Sequence, residues 1–276
     1  LAPEASLARY RLHADIRYYA AEKLEAQQHA AQVRARHATF FADFVRQRES
    51  VLRGSQQNQA QAEIEQELQN VLAAWQWGLA GGDVALLARL AHGLFVFYES
   101  KSWFKEGTRV FQPAIEQMQD AAPADPTAAH LLRQLLARQA VFYRQLSQYD
   151  YASGLIEEGL ALSGLPSDED QAFLLYQKAW VAFLQAQYAQ AQMWTEASLE
   201  IYQAMEHAMG IGDCLYMLGW TAYELGDFAQ AEALCREAQA VCEQAGYTWG
   251  VQYAIYGLGL VQRARGDYAA AWQSFL

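Results

Sequence analysis

Residues 226–238 read GDFAQAEALCREA, and residues 266–275 read GDYAAAWQSF. Both stretches place an aromatic residue directly after Gly-Asp and an alanine three positions further on. Self-similarity at a fixed interval of roughly 20–50 residues is typical of repeat proteins. The sequence therefore predicts an array of repeated units.

The aromatic residue of this motif recurs upstream. The anchors are Phe104, Tyr151, Tyr188, Phe228 and Tyr268, and a small residue follows each of them by three positions. Each unit is predicted to be a helical hairpin. In the fourth unit, residues 213–225 form the first helix, Gly-Asp makes the turn, and residues 228–244 form the second helix, which a glycine ends. Such a hairpin cannot bury its apolar side alone, so about five of them are expected to stack.

The composition predicts a helical protein with reduced cysteines and no membrane-spanning segment. Of 276 residues, 53% are hydrophobic and only 5 are proline, while Val and Ile are sparse. Three cysteines without a C-x-x-C motif predict buried thiols and a cytoplasmic location. Arg89 and His92 interrupt the most apolar stretch, residues 86–98, so no membrane span is predicted.

The net charge of −11 is unevenly distributed. Residues 1–53 carry nine Lys and Arg against six Asp and Glu, a balance of +3, which leaves −14 for the remainder. An acidic body repels phosphate backbones, and this argues against a nucleic-acid partner.

No catalytic or metal-binding motif is present. None of the six histidines forms H-E-x-x-H or lies at zinc spacing to a cysteine, and there is no G-x-S-x-G. No phosphate-binding G-x-x-x-x-G-K-[ST] occurs either. The sequence predicts neither enzymatic activity nor a cofactor.

Upstream of the repeats, residues 31–48 are predicted to be helical. Apolar residues on one face of residues 64–79 predict another helix, which Gly81 and Gly82 end. GSQQNQAQ, residues 54–61, is the best candidate for a linker, and APADP, residues 122–126, is predicted to be a loop within the array.

The repeat pattern resembles the tetratricopeptide repeat. The resemblance lies in the small residue of the first helix, the Gly-Asp-Tyr/Phe turn and the alanines of the second helix. It implies an all-α fold, a right-handed superhelix of stacked helical hairpins with the first helices on the concave side. The period of about 40 exceeds the usual 34 of that family, so the helices or loops should be longer.

The start of the chain resembles bacterial transcriptional regulators of the STAND class, the signal-transduction ATPases with numerous domains. The similar stretches are YRLHADIRYYAAEKL (residues 10–24), ARHATFFADF (35–44) and ELQNVLAAWQWGLAGGD (67–83). The resemblance implies the end of a winged-helix segment (1–28), a helical connector (29–82) and tetratricopeptide-like repeats (83–276). Because the first residue is not Met and the last ones continue a helical pattern, we expect a fragment of a longer protein with its ATPase upstream.

Aromatic residues recur on the predicted first helices at helical spacing within a unit and at intervals of 40 between units. We call this set the aromatic ladder: Tyr143, Tyr176, Trp180, Phe183, Tyr216, Trp220, Tyr223, Tyr253 and Tyr256. Asp213, Glu224 and Arg263 fall among them as candidate polar contacts. The ladder is interpreted as separate from the residues that pack helix on helix.

Two interpretations of the ladder remain open, a contact surface and an aromatic core. If it is a contact surface, it supports what the STAND resemblance implies, a sensor that binds a protein, peptide or small molecule on the concave face. The alternative is a structural scaffold that mediates self-assembly. Trp272 and Phe275 are expected to be partly exposed, since terminal repeats lack a neighbour.

Overall fold

The computed structural model describes residues 13–25, 29–49, 51–52, 54, 56–162 and 164–275. These ranges contain α-helices and no strand. The helices are α1 (Ala14–Glu25), α2 (Ala30–Glu49), α3 (Gln57–Gly81), α4 (Val84–Ser100), α5 (Phe104–Ala121), α6 (Pro126–Gln145), α7 (Tyr149–Ala161), α8 (Glu169–Leu184), α9 (Tyr188–Ala204), α10 (Ala208–Glu224), α11 (Phe228–Gln244), α12 (Thr248–Ala264) and α13 (Tyr268–Phe275).

Consecutive helices pack as antiparallel hairpins. The five hairpins are α4–α5, α6–α7, α8–α9, α10–α11 and α12–α13, and each first helix also contacts the first helix of the next hairpin. Helices α2 and α3 pack on each other and on α4. The predicted all-α fold of stacked helical hairpins is confirmed. The first twelve residues, including the start of the stretch that resembles a winged helix, lie outside the described residues, as does the proposed boundary at residue 28.

The turn inside each hairpin has the same backbone conformation. In each of the five turns one residue adopts a left-handed φ. These residues are Ser102 (56°), Ser147 (59°), Ala186 (57°), Gly226 (85°) and Gly266 (81°). In the last two units an aspartate follows and its carboxylate accepts from the backbone N–H three residues on, at 2.9 Å for Asp227 and 3.0 Å for Asp267. Glycine suits the left-handed position and aspartate suits the N-cap, which explains the Gly-Asp of the motif.

The predicted register of the second unit is wrong by two residues. The anchor aromatics Phe104, Tyr188, Phe228 and Tyr268 each begin a helix, but α7 begins at Tyr149 rather than Tyr151. Tyr151 is exposed, whereas Ala152, three residues after Tyr149, is buried like its counterparts. The interval from the second to the third unit is therefore 39 residues. The prediction used Tyr151 as the anchor because Tyr149 and Tyr151 both fit the motif.

Two helix starts also differ from the prediction. Helix α3 begins at Gln57, so residues 57–61 of the predicted 54–61 linker are helical. Helix α10 begins at Ala208 instead of residue 213, because His207 acts as its N-cap: its Nδ1 accepts from the N–H of Gly210 at 3.0 Å. Histidine is an uncommon N-cap residue, so a helix start at this position was not predicted.

Helix crossings in the last two hairpins depend on glycine facing cysteine. A Cβ placed on Gly219 or on Gly257 would lie 2.6 Å from the Sγ of Cys235. Gly212 and Gly250 face Cys242 in the same way. Burial raises the pKa of both thiols to about 12, as expected for packing cysteines.

Two aromatic side chains of α13 are exposed, as predicted. Trp272 is 64% exposed and Phe275 42% exposed. Within the described part of the chain, no helix combines the length and apolar character needed to cross a membrane.

Candidate functional site

The first helices of all five hairpins contribute to one cavity of about 330 Å³. Its lining is aromatic and polar in roughly equal parts. The lining residues are Glu99, Arg144, Gln145, Ser147, Tyr149, Phe173, Tyr176, Gln177, Trp180, Leu184, Asp213, Tyr216, Tyr247, Trp249 and Tyr253. We call this space the aromatic cavity.

A pair of tyrosine hydroxyl groups lies deep in the aromatic cavity. The Oη atoms of Tyr176 and Tyr216 are 2.6 Å apart and hydrogen-bonded, and both residues are buried. Burial, together with the charge of Asp213, raises the pKa of both phenols well above its usual range. Both rings belong to a hydrophobic cluster between the helices. The interpretation that the ladder is separate from the packing residues is therefore wrong for these two.

The middle of the ladder is a set of touching rings. Trp180 and Trp220 meet edge to face at 5.8 Å, and Tyr216 stacks on Tyr253 at 5.2 Å. The Nε1 of Trp220 donates to the backbone oxygen of Tyr253 at 3.3 Å. Trp180 and Trp220 are half-buried, so each ring packs on its neighbours and is also partly exposed.

The remaining predicted site residues lie outside the aromatic cavity. Glu224 accepts from the hydroxyl of Tyr188 at 3.2 Å, and Arg263 donates to the hydroxyl of Tyr223 at 3.5 Å. Tyr143 stacks on Tyr151 instead of aligning with Trp180. The aromatic surface continues beside the cavity through Phe183, Trp220, Tyr223 and Tyr256. Five of the twelve candidates line it: Tyr176, Trp180, Asp213, Tyr216 and Tyr253.

Arg144 is the most informative residue that the sequence analysis missed. Its Nε donates to the Oε1 of Gln177 at 3.1 Å, and its guanidinium lies 5.0 Å from the Trp180 ring centroid. With the second unit in its correct register, Arg144 precedes Phe183 by 39 residues and so belongs to the column of Phe183 and Tyr223. The shifted anchor hid this relationship.

The charged residues that line the aromatic cavity are few. Among its lining residues, Arg144 is the single Lys or Arg, and Glu99 and Asp213 are the acidic ones. Burial lowers the pKa of the Arg144 guanidinium, and the negative charge of Glu99 offsets part of this effect. Nowhere among the described residues do three or more His, Cys, Asp and Glu side chains group as metal ligands.

The chain matches no protein-family profile, and no curated protein matches it by sequence. Several solved structures resemble it in fold. The structure of BtubC (BKLC) from P. vanneervenii superposes with a TM-score of 0.54 and 17% identity, covering 89% of this chain and 88% of that one. A Rap protein complexed with Competence and Sporulation Factor gives 0.53 and 16%, covering 88% and 74%.

A third similar structure is a STAND protein with a tetratricopeptide repeat sensor from Pyrococcus horikoshii. It gives a TM-score of 0.53 at 15% identity and covers 96% of this chain but 42% of that one. Identities this low show a shared fold. The chain is thus a tetratricopeptide-like helical repeat array.

Proposed function

We propose that this chain is a binding module that recognises a protein or peptide, or a small molecule, on the concave face of its repeat array. In this proposal it serves as the sensor of a STAND-class ATPase that lies upstream in the same chain. The observation that carries the proposal is the aromatic cavity, to which α4, α6, α8, α10 and α12 each contribute side chains. Five helices from five units converge on one space.

The chemistry of the cavity suits recognition. Half-buried Trp180 and exposed Tyr253 offer rigid rings at low entropic cost, and Trp and Tyr are enriched among interface hot spots. The polar groups of Gln177 and Asp213 at the same cavity would orient a ligand. We propose a binding role without catalysis, because the charged lining residues Glu99, Arg144 and Asp213 do not form a nucleophile–base pair.

The solved structures support the proposal by analogy of fold. One similar structure is of a STAND protein with a tetratricopeptide repeat sensor, and another is of a Rap protein complexed with Competence and Sporulation Factor. A fold shared with both is compatible with a sensor that binds a partner.

A structural scaffold is the second candidate, and a specific observation favours it. Tyr268 and Trp272, both on α13, are 71% and 64% exposed. Exposed aromatic groups on one helix can pair with those of a second copy of the chain.

The test is affinity capture with the full-length protein, followed by mass spectrometry. Trp180→Ala combined with Trp220→Ala should weaken the captured partner's binding by about 2 kcal/mol or more for each hot spot. Since both side chains are half-buried, each substitution should lower the unfolding free energy by well below the roughly 3–5 kcal/mol that truncation of a fully buried Trp to Ala costs.

Trp194→Ala is the matched control. Trp194 is also half-buried, but it lies on the second helix α9, where Lys178 approaches its ring to 3.9 Å. This variant should keep the partner. If the double variant unfolds, or binds as tightly as the wild type, the ladder is a core and the sensor proposal is wrong.

A further inference from the structure

The walls of the aromatic cavity consist mainly of rings. Eight of its fifteen lining side chains are aromatic, whereas Leu184 is the single aliphatic one. Neighbouring rings hold one another in place: Tyr253 stacks on Tyr216 at 5.2 Å, and Trp180 meets Tyr176 edge to face at 6.3 Å. Aromatic rings carry a negative potential on their faces, so a rigid set of them attracts a cation, which aliphatic side chains do not.

The contacts of Arg144 show that these rings already stabilise one cation. Its guanidinium lies 5.0 Å from the ring centroid of Trp180, and its Nε donates to the Oε1 of Gln177 at 3.1 Å. These contacts hold the guanidinium near the end of α6, in the second hairpin. Tyr253 lines the cavity from α12, in the fifth hairpin, and is 41% exposed. Its ring is therefore accessible to a ligand.

The charged side chains of the aromatic cavity give it a negative balance. Glu99 and Asp213 line it together with a single cation, Arg144, which leaves a surplus of one negative charge. The chain beyond residue 53 carries a net charge of −14. The cavity and its surroundings therefore attract a cationic ligand and repel an anionic one.

The negative charge of Asp213 acts on several groups around it. Burial is the largest cause of the raised pKa of Tyr176, Tyr216 and Cys242. In each case the carboxylate of Asp213 is the next cause of the raised pKa. A field that opposes the ionisation of phenols and thiols stabilises a positive group placed in the same field. The two phenols themselves stay neutral, so they contribute ring surface rather than charge.

We propose that the aromatic cavity binds a quaternary ammonium group, enclosed by rings that include Trp180 and Tyr253 and balanced in charge by Asp213. A primary ammonium group is strongly hydrated, whereas a fully methylated one presents apolar surface to the rings and keeps its charge. The volume of about 330 Å³ leaves room for such a group and part of the molecule that carries it. This inference deepens the proposed function and rests on it, since it names the chemical class that the concave face selects.

Three small probes separate charge from shape. Choline carries the quaternary ammonium group, 3,3-dimethylbutan-1-ol has the same shape without the charge, and ethanolamine has the charge without the methyl groups. Equilibrium dialysis against the full chain measures the Kd of each probe. Choline should bind at least about tenfold more tightly than either of the others, the size expected of desolvated cation–π contacts. Absence of choline binding, or equal binding of the alcohol or of ethanolamine, overturns the inference.

Substitutions of the charged lining residues should act in opposite directions. Asp213→Asn should weaken choline binding by about tenfold, and Arg144→Gln should strengthen it severalfold because a competing cation leaves the cavity. Glu237→Gln is the control, because it removes one negative charge at an exposed position on α11, outside the cavity lining. It should leave the Kd of choline unchanged. Weaker choline binding by Arg144→Gln overturns the inference.

A pair of substitutions at Tyr253 tests the role of the rings. Tyr253→Leu should weaken choline binding by about threefold or more, because it removes a ring face and keeps an apolar side chain. Tyr253→Phe keeps the ring and should bind choline as the wild type does. Circular dichroism checks that each variant is folded, and the Tyr253 pair carries the comparison should Asp213→Asn fail to fold. Equal choline binding by the leucine and phenylalanine variants overturns the inference.

Further outcomes separate this inference from the proposed function. If no probe binds while partner capture still depends on Trp180 and Trp220, the ammonium inference is wrong and the proposed function stands. If no probe binds and capture is independent of the two tryptophans, both are wrong. The amide of N-acetylated trimethyl-lysine distinguishes the source of the group. Binding of this compound at least about tenfold more tightly than choline supports the site with a modified protein side chain as its ligand, and weaker binding supports a small molecule.

Discussion

The Nε1 of Trp249 donates a hydrogen bond to the Oε1 of Gln57 at 2.9 Å, although the two residues are 192 positions apart. Gln57 is the first residue of α3, ahead of the repeats, and Trp249 lies near the start of α12 in the fifth hairpin. In an ordinary solenoid each repeat contacts only its neighbours. Here the array curves until its fifth unit meets α3, and the bond fixes a residue that lines the aromatic cavity.

Removing this bond should lower the stability of the array. Gln57→Ala is expected to reduce the unfolding free energy by about 0.5–1.5 kcal/mol, the range for one intramolecular hydrogen bond. Chemical denaturation followed by circular dichroism measures the change. Gln69→Ala, an exposed position on the same helix, is the control and should have no effect. Equal stability of the two variants would show that the bond contributes nothing.

A substitution in the turn of the third hairpin should raise the free energy of unfolding. Ala186 adopts a φ of 57°, in the left-handed region where its counterpart in the next unit is Gly226. Ala186→Gly should raise the unfolding free energy by about 0.5–1 kcal/mol, because glycine removes a steric cost that exceeds its own entropy cost. The reciprocal change Gly226→Ala should lower it by about 1 kcal/mol. Thermal melts of both variants check the pair, and shifts of the same sign would contradict the explanation.

Glu49 should make stability depend on pH. Burial raises the pKa of its carboxyl from 4.5 to about 7, and the backbone amide of Gly93 and the charges of Arg46 and Arg138 offset part of the shift. A raised folded-state pKa stabilises the protein fully below pH 4.5, and this contribution is lost as pH rises through 7. Glu49→Gln should therefore be more stable than wild type at pH 8, with little difference at pH 4. Because the carboxyl is partly exposed, solvent screening should hold the difference at pH 8 to about 1–2 kcal/mol, less than the full shift implies.

Urea titrations of wild type and Glu49→Gln at pH 4, 6 and 8 measure this difference. Glu237→Gln, at an exposed position on α11, is the control and should follow wild type throughout. A difference that does not change with pH would show that the carboxyl of Glu49 keeps an ordinary pKa.

The exposed rings of α13 should drive self-association. Trp272→Gln is expected to shift sedimentation towards the monomer at protein concentrations where wild type associates, because apolar area leaves the contact. Since Trp272 is 64% exposed, the unfolding free energy should change by less than about 0.5 kcal/mol. Met193→Gln, 49% exposed on α9, controls for a general gain in solubility. A wild type that stays monomeric, or a variant that associates equally, would contradict the scaffold candidate.

The repeat spacing was sufficient to predict the hairpins and most of their turns. Gly226 and Asp227 carry both a backbone preference and a capping side chain, so local chemistry alone determines that turn. Arg144 was not predictable in this way. Tyr149 and Tyr151 both satisfy the motif, and only packing of Ala152 against its neighbours decides which is the anchor.

The division of the ladder into buried and exposed members also depends on packing. Tyr216 and Tyr256 occupy equivalent positions 40 residues apart, yet Tyr216 is 4% exposed and Tyr256 46%. This difference in exposure comes from the helices that flank each unit. A periodic sequence pattern cannot show it, because it assigns equivalent positions the same environment. Sequence alone could therefore propose the surface but not the cavity.

Cys235 illustrates why these repeats are not interchangeable parts. Its sulfur faces Gly219 in its own hairpin and Gly257 in the following one. The equivalent residue one unit earlier is Thr195, which is buried and donates to the backbone oxygen of Ala191 at 2.7 Å, and Ala179 stands where the next unit has Gly219. If a unit were moved to another position in this array, or replaced by a consensus repeat, its side chain at the position of Cys235 would no longer face the glycines that leave space for it. Engineering this protein by shuffling units would have to move Cys235 and Cys242 each together with the two glycines that it faces.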